Sequence, residues 1–554
     1  MATPKGYKSV EGSAFARPKD HKKLNRTAGS EPITVTLVLR RSPAGQKPRG
    51  LKEFSAKKNG GKQSLPHSEF AANYGADQRE LDQAASWARS QGLEVVNSNA
   101  ARRSVVVRGN VDEVNRAFAV QLQDYDSPRG KYKGHEGAVN LPTDMAKIVE
   151  AVFGLENHPV QAQHYSTARR QNPSDPPGTK PLSPQQVAQL YDFPPGDGGG
   201  QTIGIYEMET SDGKAGYTTQ DLQDTMRAFG GALNTPVPID VAVDGVTNSG
   251  VSDGETGLDI TIASAVAQQA KIAVYFTGGT TQNIVHALQR MIHPDEGDPV
   301  PTVISISYGW GPDDLNAGSF TDQAYAQIGQ LFQDAANLSI TVLVSSGDSG
   351  ALIQSPTIAQ TSYPATEPWV IACGGTTIGG INGNSYNEYV WNDTGAAGPG
   401  ATGGGVSDRF APPDYQNGIG VPKRISTKKP GRGIPDIAGN ASENSGYPQF
   451  INGRSQPVGG TSAVAPLYAG LIARINANLG FEVGFINPTI YSLRSNAFRG
   501  ISAPPGPANN SFGRVKGYSA SGQWNACTGL GSVNGAALEN GLRAAHGLAA
   551  HSAA

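Results

Sequence analysis

Short apolar segments recur along the second half of the chain, and several are separated by segments with helical periodicity. Apolar runs occupy residues 202–207, 271–276, 302–307 and 340–345, and helices are predicted for residues 254–267, 281–292 and 321–336. Apolar strands that alternate with helices are typical of a parallel sheet covered on both faces. Functional residues of such folds lie beyond the carboxyl ends of the strands, where Glu207 and Asp348 are expected.

A different pattern precedes this region. Residues 33–41, 93–96, 104–108 and 119–123 are predicted strands, and residues 77–91 and 111–118 are predicted helices. The order β-α-β-β-α-β indicates a ferredoxin-like α+β domain over residues 31–163. We expect residues 1–30 to be disordered. Residues 164–184 are polar and rich in proline, as in a linker exposed to proteolysis. The second domain is predicted over residues 185–545, with a tail at 546–554.

The composition and charge of the chain argue against some classes of function. The chain has 554 residues and a net charge of −2, so it lacks the basic surplus that nucleic-acid binding needs. No apolar run is long enough to span a membrane, and no apolar core follows the basic first 26 residues as in a secretory signal. The 70 glycines and 38 prolines are typical of extracellular hydrolases. Cys373 and Cys527 could form a disulfide, but two buried thiols are the simpler prediction.

The segment GGTSAVAP at residues 459–466 places Ser462 between a glycine pair and a run of small residues that favours a helix. A serine at a helix N-terminus faces unpaired backbone N–H groups and the positive end of the helix dipole. An acyl-transfer nucleophile needs this environment, because the reacting oxygen gains negative charge. A phosphate-binding loop is excluded, since no strand–GxxxxGK–helix pattern is present.

Glu255 and Asp259 are four positions apart in the segment DGETGLDI at residues 253–260. On a helix this spacing puts both carboxylates on one face, with Cβ atoms about 5–6 Å apart. Two like charges so close raise one pKa, so the pair can share a proton. A solvated helix face is the alternative interpretation. The small and apolar residues that follow at once favour a functional pair.

No histidine is placed to activate Ser462. Five of the nine histidines lie in the first domain or the linker, and two lie in the last nine residues. The other two, His286 and His293, lie in or at the end of a predicted helix, and we interpret both as structural. The GDSG segment at residues 347–350 suggests a chymotrypsin-like nucleophile at Ser349, but those enzymes are all-β and need an upstream histidine. A Ser/His/Asp triad is therefore not expected.

These motifs resemble those of the sedolisins, or serine-carboxyl peptidases, and most closely those of the kumamolisins. The similarity covers almost the whole chain and includes ITVTLVLRR (33–41), VDEVNRAF (111–118), DGETGLDI (253–260), KIAVYF (271–276), SSGDSG (345–350), GGGVS (403–407), GGTSAVAPL (459–467) and CTGLGS (527–532). The resemblance implies a subtilisin-like fold in which glutamate and aspartate replace the histidine. It also implies that the first domain is an inhibitory propeptide that assists folding.

By the same resemblance four residues are expected to carry the chemistry: the nucleophile Ser462, the general base and acid Glu255, its supporting carboxylate Asp259 and a protonated Asp348 that stabilises the oxyanion. Glu207 is expected to extend the carboxylate network. Its aromatic neighbour in the family is usually tryptophan, and Tyr308 occupies that position here. Either the network is rearranged or the nearby Trp310 compensates.

Sedolisins usually bind calcium near the C-terminus through two aspartates and backbone carbonyl groups. The matching residues of this chain are Gly500, Ile501, Ser521, Gln523 and Asn525. Gly500 and Asn525 stand where the aspartates belong, and Ser521 and Gln523 replace glycines. Because Ca²⁺ favours carboxylate oxygens, we expect weak or no calcium binding and no other cofactor.

The resemblance implies an acid-active serine endopeptidase, made as a zymogen that cuts itself in the 164–184 linker and is secreted. The expected partners are polypeptide substrates and the chain's own propeptide. We expect a monomer that binds neither nucleic acid nor membranes. Two alternatives stay open: a histidine-dependent subtilisin-type or other serine hydrolase, and an inactive protease homologue used for binding.

Overall fold

The computed structural model describes residues 3–549 except 19, 57–64, 129, 161, 164–165, 168–177, 210–212, 313–319, 354, 395–399 and 502–507. The elements of the N-terminal domain are β1 (Tyr7–Ser9), β2 (Lys22–Arg26), β3 (Pro32–Leu39), α1 (Leu51–Ala56), α2 (His67–Tyr74), α3 (Gln78–Ser90), β4 (Glu94–Asn99), β5 (Ser104–Asn110), α4 (Val111–Ala117), β6 (Gln123–Ser127), β7 (Gly130–Gly134), β8 (Asn140–Pro142) and β9 (Val149–Phe153).

An antiparallel sheet in the order β4-β5-β3-β9 forms the centre of this domain, as in the ferredoxin-like fold. The alternation along β3 explains its packing. Val35, Leu37 and Leu39 point into a core shared with α3 and α4, while Val38 points to the opposite face. The predicted α+β fold is confirmed.

Two details of the prediction for this domain are wrong. The fourth strand of the sheet is β9, whereas residues 119–123 were expected to supply it. Ala119 has a φ of 48°, which is incompatible with an extended strand, and Val120 and Leu122 are buried as part of a loop. The apolar character of residues 119–122 therefore reflects core packing, and strand structure begins only with β6 at Gln123.

The expectation of disorder for residues 1–30 is also wrong for the described part of that segment. β1 pairs with β8, and β2 pairs with β6, so two strands of the basic N-terminus are held by backbone hydrogen bonds. Val10 and Phe15 are buried at 2% and 6% exposure and anchor the segment. The basic composition of residues 1–30 led to the prediction of disorder, although two apolar residues in this segment are buried.

The remaining elements are β10 (Ala162–Gln163), β11 (Ser166–Thr167), α5 (Pro184–Leu190), β12 (Thr202–Met208), α6 (Thr219–Phe229), β13 (Ile239–Ala242), α7 (Gly254–Val266), β14 (Lys271–Thr277), α8 (Thr281–Ile292), β15 (Val303–Ile306), β16 (Tyr308–Gly309), α9 (Asp322–Asn337), β17 (Thr341–Ser345), β18 (Ile371–Asn382), β19 (Ser385–Val390), β20 (Gly405–Val406), β21 (Gly433–Ile434), β22 (Ile437–Asn440), β23 (Tyr447–Ile451), β24 (Arg454–Gly459), α10 (Val464–Leu479), α11 (Asn487–Leu493), β25 (Phe498–Arg499), β26 (Ser532–Val533) and α12 (Gly535–Ala545).

The main sheet of the second domain has the order β13-β14-β12-β15-β17-β18-β19, and β22 also pairs with β18. All pairs are parallel except β18 with β19. Helices α7 and α10 pack on one face and α8 and α9 on the other. This is the predicted parallel sheet covered on both faces. Cys373 and Cys527 are two buried free thiols, as predicted.

The N-terminal domain packs on the face that carries α8 and α9. Phe70 and Phe153 join the apolar core of that face. Charged contacts surround them: Arg41 Nη2 donates to Asp334 Oδ1 at 2.6 Å, and Arg102 Nη2 lies 2.8 Å from Asp295 Oδ1. Among the described residues, no helix combines the length and the apolar character that crossing a bilayer requires.

The predicted linker lies mostly outside the described residues, since 164–165 and 168–177 are not described. Helix α5 begins at Pro184, one residue before the predicted start of the second domain at residue 185. Ser183 caps this helix, because its hydroxyl accepts from the Gln186 backbone N–H and the Gln186 side chain returns the bond. Of the predicted tail, residues 550–554 are not described.

Candidate active site

Helix α7 presents Glu255 and Asp259 from its first two turns. The helix begins after its N-cap Asp253, whose carboxylate accepts from the Thr256 backbone N–H at 2.7 Å and the Gly216 backbone N–H at 2.9 Å. A carboxylate at this position satisfies free donors of the first turn and interacts favourably with the helix dipole. Glu255 and Asp259 have no exposed surface, so neither side chain lies on a solvated helix face.

Ser462 lies in a 3₁₀ turn, Thr461–Ala463, that leads directly into α10. The turn follows Gly460, whose φ of 109° is accessible to glycine and strained for other residues. Ser462 Oγ donates to the carbonyl oxygen of Ser307 at 3.2 Å. Both oxygens of the Glu255 carboxyl are buried without a hydrogen-bond partner among the described residues, and the nearby Ser462 hydroxyl lowers the pKa of this carboxyl. Rotation of the hydroxyl can therefore direct its proton from a carbonyl to a carboxylate.

Ser307 lies between β15 and β16 and connects the carboxylates to the serine turn. Its hydroxyl donates to Asp259 Oδ2 at 2.6 Å and lies 3.3 Å from the carbonyl oxygen of Ser462. The short bond fixes the orientation of the Asp259 carboxyl beside Glu255. Ser307 thus sets the position of two of the predicted residues at once.

Glu207, near the carboxyl end of β12, continues the carboxylate group on its far side. Its Oε2 accepts from the Tyr308 hydroxyl at 2.7 Å and from the Thr256 hydroxyl at 3.1 Å. The Trp310 indole N–H is buried and makes no hydrogen bond with the described residues. Trp310 therefore does not compensate through a hydrogen bond, and Tyr308 itself binds Glu207.

Burial raises the pKa of each carboxyl in this group well above its ordinary value. Loss of hydration is the largest cause for Glu207, Glu255 and Asp259, and the charge of Asp259 raises the pKa of both glutamates further. Hydrogen bonds oppose this effect, since the Tyr308 hydroxyl lowers the pKa of Glu207. Three adjacent buried carboxyls cannot all be ionised in acid, so the group holds shared protons.

Asp348 follows β17 and faces the serine turn from the other side. Its Oδ1 accepts from the Thr461 backbone N–H at 2.8 Å and from the Thr461 hydroxyl at 2.7 Å. Its Oδ2 is buried and has no hydrogen-bond partner among the described residues. Burial raises the pKa of Asp348 well above its ordinary value, although the Thr461 hydrogen bonds lower it. A protonated Oδ2 is a donor suited to an oxygen that gains negative charge.

Sequence reasoning missed four residues that orient this site: Asp253, Thr256, Ser307 and Thr461. An aspartate directly before a predicted helix is an N-cap signal, so Asp253 could have been found. The roles of Ser307 and Thr461 depend on the approach of distant segments, and no local pattern in the sequence carries that information.

The two histidines of the second domain bind elsewhere. His286 Nε2 lies 2.7 Å from Thr36 Oγ1, and its Nδ1 lies 2.7 Å from Asp244 Oδ1. His293 Nε2 lies 3.2 Å from Asp334 Oδ2. Both histidines therefore face the interface with the N-terminal domain, and none of these hydrogen bonds involves Ser462.

Two short strands after the N-terminal domain pair with the strands that flank Ser462. β10 is antiparallel to β16, with Ala162 opposite Gly309 and Gln163 opposite Tyr308. β11 is antiparallel to β24, with Ser166 opposite Gly459. An extended peptide that adds to a strand edge in this way is a common mode of peptide recognition. The end of the first domain and the start of the predicted linker thus pair with strands on both sides of the candidate site.

The residues at the expected calcium position do not fit a calcium ion. Asn525 Nδ2 donates to the Ile501 carbonyl oxygen at 3.0 Å, and Gly500 offers no side-chain ligand. Ca²⁺ needs six to eight oxygen ligands, several of them usually carboxylates. Among the described residues, no group of three or more histidine, cysteine, aspartate and glutamate side chains is arranged to hold a metal.

Comparison with known proteins agrees with the geometry in both domains. Residues 19–158 match the model of the pro-kumamolisin activation domain, and residues 243–482 match that of the subtilase family. Kumamolisin from Bacillus sp. is 38% identical over 532 residues, which cover 93% of this chain and 92% of that protein. Tripeptidyl-peptidase sed5 from Aspergillus fumigatus is 28% identical over 580 residues, or 95% of this chain and 96% of that protein.

A solved structure is also similar. Pseudomonas sedolisin, a serine-carboxyl proteinase complexed with pseudo-iodotyrostatin, aligns with a TM-score of 0.54 at 28% identity. The alignment covers 66% of this chain and 99% of that chain.

Proposed function

This chain belongs to the sedolisin family of serine-carboxyl peptidases, and we propose that it is an acid-active endopeptidase made as a self-processing zymogen. The observation that carries the proposal is the burial of Glu255 and Asp259 beside Ser462, with both histidines of this domain engaged elsewhere. Carboxylates are then the nearest groups that can accept the proton of the serine.

In the proposed mechanism, Ser462 Oγ attacks the peptide carbonyl carbon while its proton passes to Glu255. Asp348 and backbone N–H groups stabilise the oxyanion. The tetrahedral intermediate collapses, and Glu255 gives the proton to the departing amine. Water then attacks the acyl-enzyme, loses a proton to Glu255 and releases the acid product with Ser462 restored. Asp259 and Glu207 supply proton sharing, because a lone carboxylate is a weak base for an alcohol.

The proposed acid dependence has two sources. Asp348 must be protonated to donate a hydrogen bond to the oxyanion, and Glu255 with Asp259 must hold about one proton between them. Burial raises the pKa values of all three carboxyls, which supports function in acid. The rate should fall toward neutral pH, as Asp348 and the pair lose their protons.

We propose that the zymogen cuts itself first between residues 164 and 165, within the predicted linker. The described strands β10 and β11 support this position, since residue 163 pairs with Tyr308, next to Ser307, and residue 166 pairs with Gly459, shortly before Ser462. Residues 164 and 165 connect these two strands, and the peptide bond between 164 and 165 lies midway between them. The N-terminal domain would act as an intramolecular inhibitor until that cut.

The substrates we propose are polypeptides, which could pair with β16 and β24 as an added strand, as β10 and β11 do. The proposed location is extracellular, supported by the composition and by its peptidase relatives. A monomer stays the expectation for the free enzyme.

Acid incubation with a denatured protein tests the proposal. We expect the processed wild type to degrade the protein and Ser462→Ala to be inactive and to remain an uncut precursor. Glu255→Gln should lose at least about a thousandfold in kcat, while His286→Ala retains most turnover. The reverse result for Glu255 and His286 would identify a histidine-dependent hydrolase. Inactivity of the wild type would identify a non-catalytic homologue.

The cut position has its own test. N-terminal sequencing of the earliest product should begin at residue 165, and Tyr165→Pro should delay that product, because proline at this position hinders attack on the preceding carbonyl. A first product that begins elsewhere rejects the position but leaves the peptidase proposal intact.

A further inference from the structure

The loop around residue 525 is closed by a side-chain amide. Asn525 is 3% exposed, and both ends of its amide are used. Nδ2 donates to the Ile501 carbonyl oxygen at 3.0 Å, while Oδ1 accepts from the backbone N–H groups of Cys527 and Thr528, each at 3.0 Å. The Thr528 hydroxyl adds a further contact to Oδ1 at 3.1 Å.

We propose that the Asn525 amide replaces a structural calcium ion, so that this loop keeps its conformation without metal. A carboxylate has no donor, and an aspartate at this position would face the Ile501 carbonyl as one acceptor facing another. A cation between them would satisfy both oxygens. An amide at the same position carries its own N–H, which satisfies the carbonyl directly at hydrogen-bond distance.

Gly500 supports the same conclusion. A Cβ atom added at Gly500 would have no heavy atom of the described residues within 4 Å, so steric exclusion by those residues does not explain the absence of a side chain there. An aspartate would fit, yet without a cation it would only add negative charge beside the loop. The absence of both carboxylates, at residues 500 and 525, leaves the loop with no unpaired charge that a metal would need to neutralise.

Nearby charge also opposes a cation. A cavity of about 510 Å³ borders Asn525 and Trp524 and is lined by Lys423, Lys428 and Lys516, while none of its lining residues is acidic. Positive side chains on this side raise the local potential and disfavour a divalent cation. Hydrogen bonding and electrostatics therefore favour the same metal-free state.

Thermal unfolding of the Ser462→Ala zymogen near neutral pH tests the proposal, since this variant does not depend on activity and cannot digest itself. We expect the Tm to be equal within about 1 °C in excess calcium and in excess chelator. Titration calorimetry with calcium chloride should give no saturable heat. A chelator-induced fall of about 5 °C or more, or stoichiometric calcium binding, would overturn the proposal.

Restoring aspartate at residues 500 and 525 tests the proposal in the opposite direction. Gly500→Asp with Asn525→Asp, in the same Ser462→Ala background, should have a lower Tm in chelator and recover about 5 °C or more in calcium. Asn525→Ala is the matched control, because it removes the amide without adding a ligand: its Tm should fall, and calcium should not restore it. An Asn525→Ala variant as stable as its parent would contradict the role of the amide. If the double variant does not fold, the proposal is still tested by the effect of calcium on the Tm of the Ser462→Ala parent and by the Tm of the Asn525→Ala control.

Discussion

Thr461 donates two hydrogen bonds, from its backbone N–H and its hydroxyl, to the same oxygen of Asp348, at 2.8 and 2.7 Å. The other oxygen of Asp348 is buried and has no partner among the described residues. Because Oδ1 already accepts twice, a proton on this carboxyl is placed on Oδ2. Thr461 thereby selects which oxygen of Asp348 can act as a donor.

Asp348→Asn is expected to retain activity and to extend it toward higher pH. The amide oxygen can accept from Thr461, which leaves the amide N–H at the free position, and an amide does not titrate. Asp348→Ala removes the donor and should lower kcat by about 10²–10³. Rate profiles of the processed enzymes against pH measure both effects. A high-pH limb of Asp348→Asn identical to that of the wild type would show that another group limits activity there.

Tyr308→Phe is expected to shift the low-pH limb of the rate profile to higher pH. The Tyr308 hydroxyl lowers the pKa of Glu207, so its removal raises that pKa and the carboxyl group holds its protons to higher pH. We expect kcat to fall by roughly tenfold. Tyr275→Phe is a matched control, since its hydroxyl binds the Pro299 carbonyl away from the site. If Tyr308→Phe and Tyr275→Phe have the same pH–rate profile, Tyr308 does not influence the carboxylate network.

The second domain should lose stability as the pH rises from acid to neutral. Burial raises the pKa of Glu367 to about 8, from an ordinary value of 4.5. A carboxyl whose pKa is raised in the folded state stabilises it fully below pH 4.5, and this contribution is lost as the pH rises through 8. The loss is roughly 5 kcal/mol from this group alone.

Glu367→Gln keeps a neutral group beside the Tyr363 hydroxyl and should flatten this dependence. Tm measured against pH in the Ser462→Ala background gives the comparison with the parent protein. The prediction fails if the two proteins lose the same Tm between acid and slightly alkaline pH.

The N-terminal domain contains a group with the opposite dependence. Burial lowers the pKa of His135, which is 3% exposed, from 6.5 to about 4. A base whose pKa is lowered by folding contributes stability above pH 6.5 that is lost as the pH falls through 4, by roughly 3 kcal/mol. Acid should therefore loosen the domain that covers α8 and α9, and so promote processing.

His135→Phe retains a ring beside Phe15 but cannot be protonated. We expect this variant to process itself more slowly than the wild type at acid pH and at the same rate near neutral pH, as followed by gel electrophoresis of the precursor. An unchanged rate in acid would assign the trigger to other groups.

Regular segments with clear end signals were predictable from the sequence. The α8 bounds agree with the prediction because Thr280 and Asn283 form a capping box before a strongly periodic segment. Segment 149–153 was missed as the fourth strand of the N-terminal sheet, since its partner β3 is more than 100 residues away in sequence and no local signal names that partner. The contact between Ser307 and Asp259 likewise depends on two segments that only the folded sheet brings together.

In the proposed mechanism, carboxylates activate Ser462 and no imidazole takes part. The most direct test is the single-turnover acylation rate of processed Glu255→Gln against wild type across the acid range, with His286→Ala as control. This mechanism predicts that Glu255→Gln acylates at least about a thousandfold more slowly at every pH, while His286→Ala follows the wild-type profile. Acylation that survives in Glu255→Gln and disappears in His286→Ala would contradict it.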